Sequence, residues 1–177
     1  MLRGFALHLP RVGYTQGLNF LCGFFLLSGL GEEECLRTLV GMCVHPELLL
    51  LGVYEDEFPL CKLYCEVFWK VLAVVAPKAS LRLESAGLPD EVWIFQWFIS
   101  LFVYCFPLSY LMEMINFMIV KRFLAPVRLA VGIVQCLEPY LLQLPRGEDA
   151  ILECFELLRS EEFCEHYLPL KSVLKAA

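Results

Sequence analysis

The chain reads as all-α, one multi-helix domain over residues 1–177, and three observations carry that reading. Apolar residues recur at helical spacing, most cleanly over residues 58–75. Pro and Gly punctuate the apolar runs, and acids or prolines stand where helices would begin. Residues 48–53 and 115–120 have strand-like composition, but neither has a partner strand nearby, so no sheet is expected. No internal repeat, linker or low-complexity segment interrupts the chain.

A first helix over residues 2–9 stops at Pro10. The next begins near Gln16, carries Leu18, Leu21, Phe24 and Phe25, and ends at Gly29 and Gly31. Glu32, Glu33 and Glu34 then put negative charge into the first turn of a third helix, where the macrodipole favours it; this helix runs to about Val44. Within residues 58–75, Leu60, Cys61, Tyr64, Val67, Phe68, Val71, Leu72 and Val75 form one apolar stripe. Pro77 ends that helix, and a shorter one follows to Gly87. Pro89, Asp90 and Glu91 make a helix start. That helix carries Trp93, Trp97 and Phe98 as core aromatics and yields at Pro107 to another running toward Lys121. Pro126 opens a further helix that ends near Leu144. Gly147, Glu148 and Asp149 start the next, with Ile151, Leu152, Phe155 and Leu158 on one side. Ser160, followed by Glu161 and Glu162, caps a last short helix.

Hydrophobic residues make up 59% of the chain and charged residues 19%. The mean hydropathy of +0.64 is higher than an ordinary globular domain shows. Two explanations compete: a small helical membrane protein, or a domain whose core helices lack part of their covering surface. The uncharged run from Val92 to Met112 is long enough to span a bilayer. Gln96 and Pro107 interrupt it, acids flank it, and no cluster of Lys or Arg sets an orientation. Two buried helices meeting at Pro107 account for the same residues. The N-terminal stretch lacks the apolar core and cleavage site of a secretory signal. The nine cysteines, an odd number with no Cys-x-x-Cys pair, are therefore expected as reduced thiols in the core. Net charge is −6, with Lys and Arg scattered, which argues against a nucleic-acid partner.

Signatures of self-contained chemistry are missing. The sequence has no GxxxxGK[ST] loop, no GxGxxG, no GxSxG and no HExxH. Cys61 and Cys65 share a helix face but have no nearby His to complete a zinc site. Cys164 and His166 lie two apart and face different sides of a helix, so they form no catalytic dyad. Glu55, Asp56 and Glu57 read as a solvated loop. No active site, cofactor or metal of the chain's own is expected.

What remains is residues 13–19, GYTQGLN, with an apolar run directly behind them. Gly13 and Gly17 permit backbone geometry or close approach that a Cβ would block. Gln16 offers an amide acceptor and two donors, able to orient a water or grip a peptide group. A simple helix start explains the same residues, and Tyr14 also reads as a core tyrosine.

GYTQGLN followed by FLCGFFLL resembles the YxQGxN motif of the TBC domain, the helical GTPase-activating domain that acts on Rab GTPases. LCKLYCEVFWKVLAVVAPKASLRLESAGL resembles the family's next helix pair, and WIFQWFISLFVYCFPLSYLMEMINF its tryptophan segment, leucine-proline break and following helix. The resemblance runs from about residue 2 to Leu158. It implies that Gln16 is a glutamine finger, reaching into the GTPase site to position the hydrolytic water. Tyr14 would brace the loop and contact the partner, and Gly13, Gly17 and Asn19 would hold its shape. GTP and Mg would be bound by the partner, a Rab-type small GTPase. The protein would be cytoplasmic, recruited to endomembranes peripherally, in vesicle-mediated transport.

Two departures accompany the resemblance. The family's arginine finger lies in an IxxDxxR motif upstream of the glutamine motif, and this chain does not contain it. Its only arginines before Gln16 are Arg3, at a mid-helix position, and Arg11, at a loop position. An arginine finger contributes about 10³ to 10⁵ in rate, or about 4–7 kcal/mol. The chain as written is thus expected to be a weak or inactive activator, equivalent to a TBC domain without its N-terminal helices, with apolar faces left uncovered. The second departure is Ile115 and Asn116, where the family often carries a Trp-Asp pair. A truncated activator, a finger-less GTPase-binding scaffold and a small membrane protein are the three readings left open.

Overall fold

The computed structural model describes residues 1–177 and contains helices, turns and loops without a strand. In chain order the α-helices are α1 (Leu2–His8), α2 (Leu18–Leu27), α3 (Glu32–Val44), α4 (Leu51–Tyr54), α5 (Pro59–Val75) and α6 (Pro77–Ala86). They continue as α7 (Ile94–Ile99), α8 (Leu108–Lys121), α9 (Ala125–Leu141), α10 (Glu148–Leu157), α11 (Glu161–Tyr167) and α12 (Leu170–Ala176). Short 3₁₀ turns occupy Asp90–Val92 and Arg122–Leu124.

The sequence of α9 explains the arrangement. Val127, Leu129, Ala130, Val131, Ile133, Val134, Leu137 and Leu141 leave little of its circumference for water, so other helices must cover it. α5, α6, α7, α8, α11 and α12 all pack on it. α1, α2 and α3 form a second group against one another, joined to the rest through one continuous apolar cluster. Tyr64 on α5 donates to the Phe123 carbonyl at 2.8 Å, and the Ala79 amide on α6 donates to Glu138 on α9 at 3.1 Å.

The strand-like residues 48–53 and 115–120 are turn and helix, since each packs against helices and has no strand to pair with. Ile115 is buried in α8, while Asn116 faces water. α2 starts two residues later than expected, leaving Gln16 in the loop before it.

The helix expected from Pro89 to Pro107 is broken twice. A 3₁₀ turn gives way at Trp93 to the six-residue α7, and residues 100–106 are successive turns. The reason is burial. Trp93, Trp97, Phe98, Leu101, Phe102, Cys105 and Phe106 all belong to the core, and a straight helix would turn several of them toward water. Leu101 and Phe102 accept positive φ values of 45° and 67° to stay inside. Each costs about 1–3 kcal/mol, comparable to the 1.5–3 kcal/mol, roughly, that burying such a side chain contributes. No helix in the structure is long and apolar enough to cross a membrane, and the run from Val92 to Met112 is folded back on itself in this way.

The stripe on α5 is narrower than its periodicity suggests. Leu60, Cys61, Tyr64, Cys65, Phe68 and Leu72 are buried, Val67 is half-buried, and Val71 and Val75 are exposed beside Leu63 and Val74. The neighbouring helices cover one flank of α5 and no element covers the other. Ser160 does cap α11, its hydroxyl accepting from the Phe163 amide at 3.3 Å, but α11 is not the last helix. α12 follows Pro169 and lies across α9 at Gly132. A Cβ at Gly132 would sit 2.8 Å from the Val173 carbonyl oxygen and 2.9 Å from the Ala177 amide. The end of α12 is further held by the Arg128 guanidinium, which donates to the Ala177 backbone oxygen.

Eight of the nine cysteines are buried, and none is in a disulfide. Burial pushes the thiols of Cys43, Cys65, Cys105, Cys154 and Cys164 up to about 12, against an ordinary value of 9.0. Between those values an unfolded chain has lost thiol protons that the folded chain keeps, so stability falls as pH rises.

Two outcomes follow. Urea midpoints should decline from about pH 8.5 upward, and a midpoint constant from pH 7 to 10.5 would contradict the burial of the thiols. Gly132→Ala should cost about 1–3 kcal/mol by forcing α12 off α9, measured by urea unfolding; an unchanged midpoint would show that α12 is not seated there.

Candidate functional site

Residues 9–17 connect α1 to α2 as a loop fastened at both ends. The Val12 and Gly13 amides both donate to the Leu9 carbonyl at 3.0 Å, and Gly13 turns the chain with φ +62°. Thr15 then ties the loop to α4, its hydroxyl lying 3.2 Å from the Tyr54 carbonyl and 3.4 Å from that of Val12.

Gly17 fixes the other end. Its φ of +106° lies where side chains are strained, and its backbone presses on the end of α7. A Cβ there would fall well inside contact distance of the Ile99 carbonyl oxygen. Only glycine satisfies both conditions. Asn19 completes the turn: its Oδ1 accepts from the Gly17 amide at 3.2 Å, satisfying one of the donors left over at the start of α2.

Between these fixed points Tyr14 and Gln16 project outward. Tyr14 is 62% exposed and lies outside the core, so the core-tyrosine reading does not hold. Gln16 is exposed at the edge of a cleft of about 570 Å³. Thus Gly13, Gly17 and Asn19 shape the loop, and Tyr14 and Gln16 are what the loop presents.

The cleft brings together segments that the sequence keeps far apart. Phe20 of α2, Glu91 and Gln96 around the 3₁₀ turn, Tyr104 of the turns after α7, and Glu156 and Arg159 at the end of α10 line it with Gln16. Its floor is aromatic: Trp93 stacks on Phe155 at 4.6 Å with an interplanar angle of 13°, and Trp97 meets the same ring edge-on at 5.4 Å. Phe20 packs on Tyr104 at 4.9 Å, and the Arg159 guanidinium lies 4.1 Å over the Tyr104 ring. Gln96 donates to the Glu91 carbonyl at 3.3 Å. Beneath the surface, burial pushes the Cys105 thiol up to about 12, opposed by the positive charge of Arg159.

Glu91, Tyr104, Glu156 and Arg159 carried no signal in the sequence. Arg159 stands in a helix-to-helix connection, and Tyr104 sits inside an apolar run; only the tertiary fold sets them beside Gln16. Arg3 and Arg11 are exposed and do not line this cleft. No group of His, Cys, Asp or Glu is disposed to hold a metal ion. The site is an exposed amide on a tethered loop beside a mixed-charge, aromatic-floored cleft, suited to contacting another molecule.

Comparison with known proteins bears on the family and the fold. The family described as Rab-GTPase-TBC domain matches residues 1–142. The GTPase-activating protein GYP5 of Saccharomyces cerevisiae is 27% identical over 147 residues, covering 81% of this chain and 16% of that protein. The human TBC domain-containing protein kinase-like protein is 25% identical over 142 residues, 80% of this chain and 16% of its own length. The Xenopus laevis growth hormone-regulated TBC protein 1 is 22% identical over 174 residues, 95% of this chain and 49% of that protein. The chain therefore spans only part of each of these relatives. The crystal structure of the Chlamydomonas flagellar RabGAP TBC domain superposes with TM-score 0.82 at 15% identity, covering 99% of this chain and 55% of that one.

Gly17→Ala should destabilise the fold by at least about 1–3 kcal/mol, because strain at positive φ adds to the collision with Ile99. Gly13→Ala, with open space around it and strain alone, should cost less. Chemical unfolding of both variants checks the order, and an equal or reversed ranking would rule out the Ile99 contact.

Proposed function

Because the chain belongs to the Rab-GTPase-TBC domain family, we propose that it is a GTPase-activating module for a Rab-type small GTPase, with Gln16 as its glutamine finger. GTP hydrolysis needs a positioned water and neutralised charge, with no covalent step on the activator. An amide that both donates and accepts can hold the water. It brings no charge.

The observation that best supports this role is how Gln16 is mounted. Its amide is exposed, while the loop beneath it is tied to Tyr54 on one side and pressed against Ile99 on the other. A loop whose backbone is already tied loses little further backbone freedom on docking. Tyr14, exposed beside it, contacts the bound GTPase, and Gly13, Gly17 and Asn19 keep the loop in shape. GTP and Mg belong to the partner. This chain uses no cofactor of its own and takes no nucleic-acid partner. It acts in the cytoplasm and reaches endomembranes through the GTPase, peripherally, in vesicle-mediated transport.

The IxxDxxR motif is not among residues 1–177, and Arg3 and Arg11 stand away from the Gln16 cleft. A second reading is that residues 1–177, taken by themselves, bind a GTPase without accelerating it.

Single-turnover GTP hydrolysis on a panel of Rab GTPases, with the chain, its Gln16→Ala variant and buffer, tests both. The chain should accelerate hydrolysis by less than about a hundredfold, since a missing finger removes about 10³ to 10⁵, and Gln16→Ala should abolish what acceleration there is. Equal rates for chain and variant would overturn the finger role. Binding without acceleration would favour the scaffold.

A further inference from the structure

Arg159 is the only cation lining the Gln16 cleft, and no carboxylate lies within ion-pair distance of it. This is unusual company, because Glu91 and Glu156 line the same cleft. Its guanidinium rests instead on the face of Tyr104, 4.1 Å from the ring centroid, and Tyr104 is backed at 4.9 Å by Phe20 of α2. The stack fixes the cation with respect to the helix that follows Gln16. No side-chain hydrogen bond in the structure uses the Arg159 N–H groups, so they are free to take a carboxylate in the fork arrangement that matches it.

We propose that Arg159 is a partner-recognition residue whose guanidinium takes a carboxylate on the surface of the GTPase docked at Gln16; this rests on the docking proposed above. Charge decides the class of ligand. A nucleotide triphosphate brought to Arg159 would also meet Glu91 and Glu156, which repel it. An Asp or Glu side chain is singly charged, and in a protein surface it can stand beside Lys or Arg residues that pair with those two glutamates. The cleft therefore selects a surface of alternating sign. Arginine is among the residue types that carry a disproportionate share of binding energy at interfaces, and here it stands on an aromatic ring in the cleft.

Binding is measured by titration against the same Rab panel, each GTPase loaded with a non-hydrolysable GTP analogue, using the chain and its Gln16→Ala, Arg159→Ala, Arg159→Lys and Arg159→Glu variants. Arg159 is exposed, so these variants should keep the parent's melting profile. A GTPase bound by the chain should bind Arg159→Ala about tenfold more weakly and Arg159→Glu about a hundredfold more weakly. Arg159→Lys should recover only part of the affinity, and the differences should shrink at high ionic strength. Affinities of Arg159→Ala and Arg159→Glu equal to the parent's would overturn the proposal while leaving docking at Gln16 intact. A normal Kd with a lowered maximal hydrolysis rate in Arg159→Ala would also overturn it, by moving the residue from recognition to the reaction. If the folded chain binds no member of the panel, the docking reading falls, and this proposal with it.

Discussion

The aromatic cluster around Trp97 is the constraint on which the rest depends. Trp97 is almost fully buried and packs against Trp93, Phe102, Phe106 and Phe155. These rings come from the 3₁₀ turn, from the turns after α7 and from α10, so their contact fixes three separate segments at once. Ring pairs of this kind add about 0.5–1.5 kcal/mol each beyond the area they bury. The cluster is why residues 89–107 give up a continuous helix, and why two non-glycine residues accept positive φ. It also forms the floor under the cleft. Strain, core and site here are one arrangement.

The loop that presents Gln16 depends on that arrangement through a single backbone contact. The Ile99 carbonyl marks the end of α7, and Gly17 is pressed against it. If α7 ran on as a regular helix, the Ile99 carbonyl would accept from the amide four residues later. Because the helix stops, the loop can close there instead. Thr15 and Asn19 add hydrogen bonds, each a modest contribution of about 1 kcal/mol. They orient the loop, whereas the glycine contact decides where it sits.

The electrostatics of the cleft divide the labour in the proposed activity. Gln16 can position a water but supplies no charge, and a positioned water without charge neutralisation leaves about 4–7 kcal/mol of the barrier unaddressed. The one cation of the cleft, Arg159, shares it with Glu91 and Glu156 and lies over the Tyr104 ring, which suits the proposed recognition of a protein carboxylate.

The helical class, the positions of α3, α5, α6, α8 and α10, the acidic first turn at Glu32, Glu33 and Glu34 and the cap at Ser160 were legible in the residues. Each is a local matter of periodicity, of a charge near a helix end or of a glycine beside a turn. Asn19 was singled out only through the family resemblance, whereas Gly13 and Gly17 were legible as positions that need backbone freedom, which acts within a few residues. The break of the tryptophan segment was not, since its composition is equally apolar whether straight or folded back, and only the rings it meets choose between them. The exposed flank of α5 escaped for the opposite reason: periodicity marks an apolar face without saying which neighbours arrive to cover it. Arg159 and Tyr104 were invisible as site residues because nothing near them in the chain distinguishes them. They join Gln16 only through packing between α2, α7 and α10, a long-range property that local sequence does not encode.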